Sequence, residues 1–120
     1  MSKQQREVKK ILCDIFDDVK EECWLQKITN NSLYPNIRVD FYIPSSNLII
    51  EVHGIQHDKM SGFGRSKNEA ALKYLEQTTR DDRLRKICKK ENINYEEIWY
   101  NEKVSMPTIL MRLIKYINGK

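Results

Sequence analysis

The sequence predicts one domain of the α/β (α+β) class, in which helices flank a mixed four-stranded sheet. Stretches with helical spacing of apolar residues alternate with short strand-like runs. A chain of 120 residues is long enough for one domain with a hydrophobic core but not for two domains. Hydrophobic residues make up 40% and charged residues 32% of the chain, which is typical of globular rather than disordered proteins. We therefore expect residues 1–120 to form a single domain.

The first elements are a helix, a short strand and a polar loop. Residues 2–19 predict a helix, because their apolar side chains recur at steps of three and four. Residues 23–28 are expected to form a short strand, and residues 29–36 have the Asn, Ser and Pro content of a loop. Trp24 and Trp99 lie in strand-like patterns and are expected mainly in the core.

A hairpin is predicted over residues 37–52. The alternation in residues 37–43 predicts a strand with Asp40 pointing away from its apolar face. That face consists of Ile37, Val39, Phe41 and Ile43. A Pro-Ser-Ser-Asn turn follows, so residues 48–52 should return as an antiparallel strand. Because side chains alternate along a strand, we expect Asp40 and Glu51 on one face of the hairpin, with His53 one pleat further on.

The second half of the chain predicts a loop, one long helix, a fourth strand and a last helix. Residues 54–64 are expected to form a loop, with a flap whose aromatic tip is Phe63. A helix over residues 67–91 and a fourth strand over residues 94–100 follow. The last helix begins with Pro107 in its first turn.

The two carboxylates of the hairpin are the strongest candidates for chemistry. Buried carboxylates that face each other repel unless a cation or a proton lies between them. Carboxylate oxygens are also the ligands that Mg²⁺ prefers, and a bound divalent cation activates water. Asp40 and Glu51 therefore predict a shared metal site in a hydrolase. Exposure of both side chains at the sheet edge is the alternative.

The chain has two histidines, His53 and His57. Their spacing of four would suggest zinc on a helix, but Gly54 follows His53 directly and the context is a strand and a loop. Imidazole titrates near neutral pH, so a general base or a ligand of metal-bound water is the favoured interpretation. Hydrogen-bonded structural histidines are the alternative.

The charge distribution suggests a nucleic-acid partner. The formal net charge is +4, and basic residues concentrate in residues 80–90. The candidates for DNA contact are Arg80, Arg83, Arg85 and Lys86. A basic helix beside an acidic metal site fits a phosphate backbone, although a solvated helix face produces the same pattern.

Cysteine content and hydropathy bear on the cellular compartment. The three cysteines are widely spaced without a CxxC pair, so we expect reduced, half-buried thiols. No apolar run approaches the length of a membrane span, and the N-terminus does not resemble a signal peptide. We therefore expect a cytoplasmic protein without a membrane partner.

The pattern from residue 38 to residue 57 resembles the PD-(D/E)xK nuclease superfamily. The Asp of that motif corresponds to Asp40, and Glu51-Val52-His53 resembles its second half, with His where Lys usually stands. Residues 53–57 are similar to the His-Gly…His segment of very-short-patch-repair (Vsr-like) endonucleases, a branch with phage and bacterial members. In that branch a Glu on the first helix supports the site, and Glu7 is the matching residue. Gln56 stands where the patch-repair enzymes carry aromatic wedge residues, so the resemblance concerns fold and chemistry rather than a mismatch target.

The resemblance implies a restriction-endonuclease-like core and a magnesium-dependent DNA endonuclease, with Mn²⁺ as a substitute. The implied metal ligands are Asp40, Glu51 and the carbonyl of Val52, and the other catalytic residues are His53, His57 and Glu7. A homodimer, or a fused or associated DNA-recognition partner, would extend the limited surface of one domain. Cytoplasm of a bacterial or phage-infected cell is the implied location. A nuclease-fold accessory module that binds DNA without catalysis is the alternative.

Overall fold

The computed structural model describes residues 3–53, 67–99 and 101–118, which form an α+β fold around one four-stranded sheet. The elements in chain order are α1 (Lys3–Ile15), β1 (Lys20–Trp24), α2 (Leu25–Thr29), β2 (Arg38–Ile43), a 3₁₀ turn (Pro44–Ser46), β3 (Leu48–His53), α3 (Lys67–Lys90), β4 (Asn94–Trp99) and α4 (Met106–Asn118). Among these helices, none has the combination of length and apolarity that a bilayer crossing requires.

The sheet has the order β1-β2-β3-β4 and is mixed, as predicted. The pairs β1–β2 and β2–β3 are antiparallel, whereas β3 and β4 are parallel. Parallel neighbours need a crossover connection, and α3 lies in the segment between β3 and β4. The predicted hairpin is confirmed, because β2 and β3 pair across the Pro44–Ser46 turn and Asn47 takes the left-handed conformation that closes it (φ 48°).

Two hydrophobic cores lie on opposite faces of the sheet. The first core joins α1 and α4 to the sheet and consists of Val8, Leu12, Phe16, Phe41, Ile43, Leu48, Ile50, Ile98, Ile109 and Leu113. The second core joins α2 and α3 to the sheet and consists of Leu25, Tyr34, Ile37, Val39, Ile49, Leu84, Ile87 and Cys88. The sheet is therefore the middle of three layers, and the face under α3 is the one that receives the buried charged groups described below.

The prediction of a single apolar face on β2 is wrong. Phe41 packs in the first core, whereas Val39 packs in the second. The β2–β3 pairing ends at Phe41, and Glu22, which faces Asp40 across the β1–β2 ladder, has a positive φ of 48°. The ladder is thus irregular around Asp40, and the strand delivers apolar side chains to both faces.

The N-terminal predictions need two corrections. α1 ends at Ile15 rather than at residue 19, and the Asp18 carboxylate accepts a hydrogen bond from the Ser45 backbone at 2.6 Å, which ties the chain to the hairpin turn. The predicted strand over residues 23–28 is wrong, because β1 ends at Trp24 and α2 follows, burying Leu25 in the second core.

Trp24 is not a core residue. It is 43% exposed, in contrast to the expectation that both tryptophans pack mainly inside. The reason is its place on β1, an edge strand that pairs with a neighbour on one side only. Trp24 therefore presents its ring at the surface.

Candidate functional site

Asp40 and Glu51 meet where β2 and β3 separate. The backbone ladder between these strands ends at the pair Phe41–Ile50. Beyond it, carboxylates take the place of backbone partners: Glu51 Oε2 accepts from the Asp40 N–H at 2.6 Å, and Asp40 Oδ2 accepts from the Val52 N–H at 2.8 Å. The hairpin therefore brings the two predicted carboxylates together at its open end.

The Glu51 carboxyl is held in its neutral form by its surroundings. The residue is only 4% exposed. Burial first, and the negative charge of Asp40 second, raise the pKa of Glu51 from 4.5 to about 8. The Asp40 N–H and the Arg80 guanidinium oppose this rise without cancelling it. At neutral pH Glu51 therefore keeps a proton unless another positive charge takes its place.

The groups that would hold a metal ion at this point are two carboxylates and a backbone carbonyl. Asp40 and Glu51 supply carboxylate oxygens, and the carbonyl of Val52 is next in the chain. No cluster of three or more His, Cys, Asp or Glu side chains within residues 3–53, 67–99 and 101–118 is arranged to hold a metal. Mg²⁺ commonly binds through one or two carboxylates together with water and substrate phosphates. Zinc takes three or four protein ligands, which is more than this pair of carboxylates supplies. Binding of Mg²⁺ by the pair stays a prediction.

His53 is buried and held at both ring nitrogens. It is 1% exposed, and its Nε2 lies 2.5 Å from Glu97 Oε2. Its Nδ1 lies 3.8 Å from Asp81 Oδ2, and its ring packs against the Trp99 ring at a tilt of 35°, with centroids 4.5 Å apart. Carboxylates therefore face both nitrogens of the ring and fix its orientation.

Glu97 links His53 to α3. Arg85 donates two hydrogen bonds to its carboxylate, at 2.8 and 2.7 Å. Burial alone would raise the pKa of Glu97, but the hydrogen bonds from Arg85 and His53 outweigh it and lower the pKa from 4.5 to about 2. The result is a connected set of polar side chains, Arg85–Glu97–His53–Asp81, and Glu97 is the register partner of Glu51 on β4.

The predicted DNA-contact residues divide into two kinds. Arg83 is exposed, and the side chain of Lys86 is 78% exposed. Arg80 is exposed as well and donates a hydrogen bond from Nη2 to the Arg38 carbonyl at 2.7 Å. Arg85 is engaged with the buried network through both hydrogen bonds described above. DNA contact by all four residues stays a prediction.

Two further predicted residues are not brought to the carboxylate pair by the contacts within the described ranges. Glu7 is exposed on α1, whose buried residues pack in the first core rather than under α3. His57 and the predicted loop and flap of residues 54–64 lie outside the described residues. The roles assigned to Glu7 and His57 stay predictions.

Sequence reasoning missed Asp81 and Glu97. A signal for Glu97 was present, since a long helix between two strands favours a parallel crossover, which aligns β4 with β3. A signal for Asp81 was its spacing of three and seven residues from the apolar Leu84 and Cys88, which places all three on one helix face. Asp81 is 4% exposed and points from that face into the network.

Comparison with known proteins gives a viral relative without an assigned role. No family model matches the chain, and no solved structure matches it. A similar protein is the "Uncharacterized protein 307L" of Invertebrate iridescent virus 6, which is 31% identical over 87 residues. The match covers 70% of this chain and 42% of the viral protein, so the chain spans less than half the length of that relative.

Proposed function

We propose that this chain is a magnesium-dependent DNA endonuclease with a restriction-endonuclease-like core of the PD-(D/E)xK kind, similar to the Vsr-like branch. The observation that carries the proposal is the Asp40–Glu51 pair at the open end of the hairpin. Glu51 is almost fully buried, and its pKa is raised to about 8 beside a second carboxylate. Such a pair binds either a proton or a cation, and a bound divalent cation can catalyse phosphodiester hydrolysis.

The metal ligands of the proposal are Asp40, Glu51 and the Val52 carbonyl, with Mn²⁺ able to replace Mg²⁺. When bound, the ion supplies positive charge that polarises the scissile phosphate and stabilises the leaving oxygen. Because Glu51 is neutral without the ion, binding has to displace its proton. Cation affinity should therefore rise with pH up to about 8, where Glu51 ionises by itself.

His53 takes the place of the usual lysine. Its ring nitrogens face Glu97 and Asp81, which fixes the position of the ring. The residue is 1% exposed, so its ring is poorly placed to reach an attacking water. We therefore assign a positioning role to His53 and the acceptance of the water proton to His57, and Glu7 retains the supporting role that the resemblance implies.

The DNA backbone is proposed to lie along the exposed basic residues of α3. Arg80, Arg83 and Lys86 are all on the solvent side of this helix. Arg80 is linked electrostatically to the carboxylate pair, since its charge lowers the pKa of Glu51. Phosphate contacts of this kind position the duplex without reading its sequence. A second copy or an associated recognition partner would supply sequence selectivity.

The test is cleavage of supercoiled plasmid in Mg²⁺, Mn²⁺ or EDTA. Asp40→Asn and Glu51→Gln preserve side-chain size and acceptor atoms but remove the charge that holds the ion, so both should abolish cleavage. Glu96→Gln is the matched control, because Glu96 is a carboxylate on β4 whose partners are Tyr116, Arg112 and Lys115. It should cut at the wild-type rate.

Two outcomes would overturn the proposal. One is wild-type cleavage by the Asp40 or Glu51 variant, which would separate the pair from the activity. The other is tight DNA binding without cleavage under any metal condition, which would favour the non-catalytic accessory module.

A further inference from the structure

Trp24 and Arg38 form an exposed aromatic and cationic pair close to the carboxylates. The two residues are register partners in the β1–β2 ladder. The Arg38 guanidinium carbon lies 5.7 Å from the centroid of the Trp24 ring, within the range of a cation–π contact. Trp24 is 43% exposed, so part of its ring surface remains available to a ligand.

Trp24 also lines a surface groove of about 580 Å³. Its remaining lining is polar and consists of Gln26, Lys27, Asn30, Asn31, Ser32 and Asn36. Amide side chains donate and accept hydrogen bonds in the patterns that nucleobase edges present. A lysine at the rim adds positive charge that suits a phosphate. An aromatic wall, amides and a cation together are the chemistry that recognises an unstacked nucleotide.

This groove is connected to the candidate metal site through β2 and Arg80. Arg38 precedes Asp40 by two residues, which corresponds to about 7 Å along a strand. Arg80 donates to the Arg38 carbonyl at 2.7 Å and is close enough to Glu51 to influence its pKa. A DNA strand with its phosphate at the carboxylate pair could therefore place an adjacent base at Trp24.

We propose that Trp24, supported by Arg38, is a stacking platform for an unpaired base, and that the preferred substrate is DNA with a single-stranded segment next to the cleaved bond. A base inside a duplex has both faces covered by its neighbours, so only an unpaired or extruded base can stack on this ring. Flapped and branched DNA present such bases, and a blunt duplex does not. The part of this inference that concerns cleavage next to a single-stranded segment rests on the proposed nuclease function. The binding of an unpaired base by Trp24 does not.

The test is fluorescence anisotropy of labelled DNA with the full chain in EDTA, where metal-dependent cleavage does not interfere. The probes are an oligothymidine, a blunt duplex, and the same duplex with a single-stranded arm. Trp24→Ala should weaken binding of the oligothymidine and the armed duplex about tenfold and leave the blunt duplex unchanged. Trp24→Phe should retain most of the affinity, because its ring still stacks.

Matched variants separate stacking from general effects. Met111→Ala removes another large exposed side chain, 78% exposed on α4, and should leave all three affinities unchanged. Arg38→Gln keeps a polar side chain without the cation. It should weaken binding of the oligothymidine and the armed duplex, but by less than Trp24→Ala does. Circular dichroism of each variant verifies that the fold is intact. The inference is overturned if Trp24→Ala weakens the three probes equally or has no effect, or if oligouridine binds about tenfold more tightly than oligothymidine.

The binding result and the cleavage result can fail separately. If Trp24→Ala selectively loses affinity for DNA with unpaired bases and Asp40→Asn still cuts plasmid, the stacking platform is retained and the proposed active site is rejected. Unchanged binding by Trp24→Ala together with an inactive Asp40→Asn would reject the platform and retain the active site.

Discussion

Replacing Glu51 with glutamine is expected to make the metal-free protein more stable than wild type, by an amount that grows as the pH rises. The pKa of Glu51 is raised from 4.5 to about 8 by burial and by Asp40. Below pH 4.5 the carboxyl is neutral in both the folded and the unfolded chain, and its stabilising contribution is fully present. Between these values the unfolded chain ionises while the folded chain does not, so stability is lost. Above the folded pKa the loss is complete.

The size of this effect follows from the shift. Each pKa unit corresponds to about 1.4 kcal/mol, so the free energy of unfolding should fall by about 1.4 kcal/mol per pH unit across this window. The accumulated loss near pH 8 is about 5 kcal/mol at most, because the pKa of Glu51 rises from 4.5 to about 8 on folding. Glutamine retains the acceptor for the Asp40 N–H and has no proton to lose, so this pH dependence should disappear in Glu51→Gln.

The assay is urea unfolding in EDTA, followed by tryptophan fluorescence at several pH values across the window. Wild type and Glu51→Gln should have similar free energies of unfolding at the acidic end and diverge toward the alkaline end. The slope of the free energy of unfolding against urea concentration should be the same for both proteins. Glu76→Gln, which changes an exposed carboxylate on α3, should run parallel to wild type. Parallel curves for Glu51→Gln and wild type would refute the reasoning, because Glu51 would then titrate alike in both states.

Three further predictions concern the network and the thiols. Because the pKa of Glu97 is lowered to about 2, its stabilising contribution is present above pH 4.5 and is lost as the pH falls toward 2. In acid unfolding, the difference in free energy of unfolding between wild type and Glu97→Gln should therefore shrink over that window. Arg85→Ala should lower the free energy of unfolding by about 2–3 kcal/mol, because it leaves Glu97 without its main partner, whereas Lys86→Ala should change it by less than about 0.5 kcal/mol in the same urea assay. A thiol reagent should modify exposed Cys13 in the native protein but reach Cys88 only on unfolding, because Cys88 is buried and burial raises its pKa to about 12.

Local pattern was sufficient to predict the hairpin and its carboxylates. The alternation in β2, the Pro-Ser-Ser-Asn turn and the apolar run of β3 all lie within 17 contiguous residues, from residue 37 to residue 53. Antiparallel pairing across a short turn leaves little choice of register. The adjacency of Asp40 and Glu51 therefore followed from the sequence, whereas the catalytic roles given to them stay predictions.

Contacts between distant segments were beyond such reasoning. The network around His53 requires the parallel alignment of β4 with β3 and the packing of α3 over that face. Within α3, the spacing of Asp81 from Leu84 and Cys88 places it on the buried face, but the sequence does not show which strand residues that face contacts. Similarly, the segment after Trp24 has a strand-like composition, but burial of Leu25 in the second core favours a helix there.

Calorimetric titration of Mg²⁺ into the protein at neutral pH, in two buffers with different ionisation enthalpies, tests most directly whether Asp40 and Glu51 form a cation site. The account predicts binding to wild type with release of about one proton per ion, since the ion replaces the proton of Glu51. Glu51→Gln should release no proton and bind more weakly, and Glu96→Gln should match wild type. Absence of binding to wild type, or equal affinity and proton release in Glu51→Gln, would contradict the account.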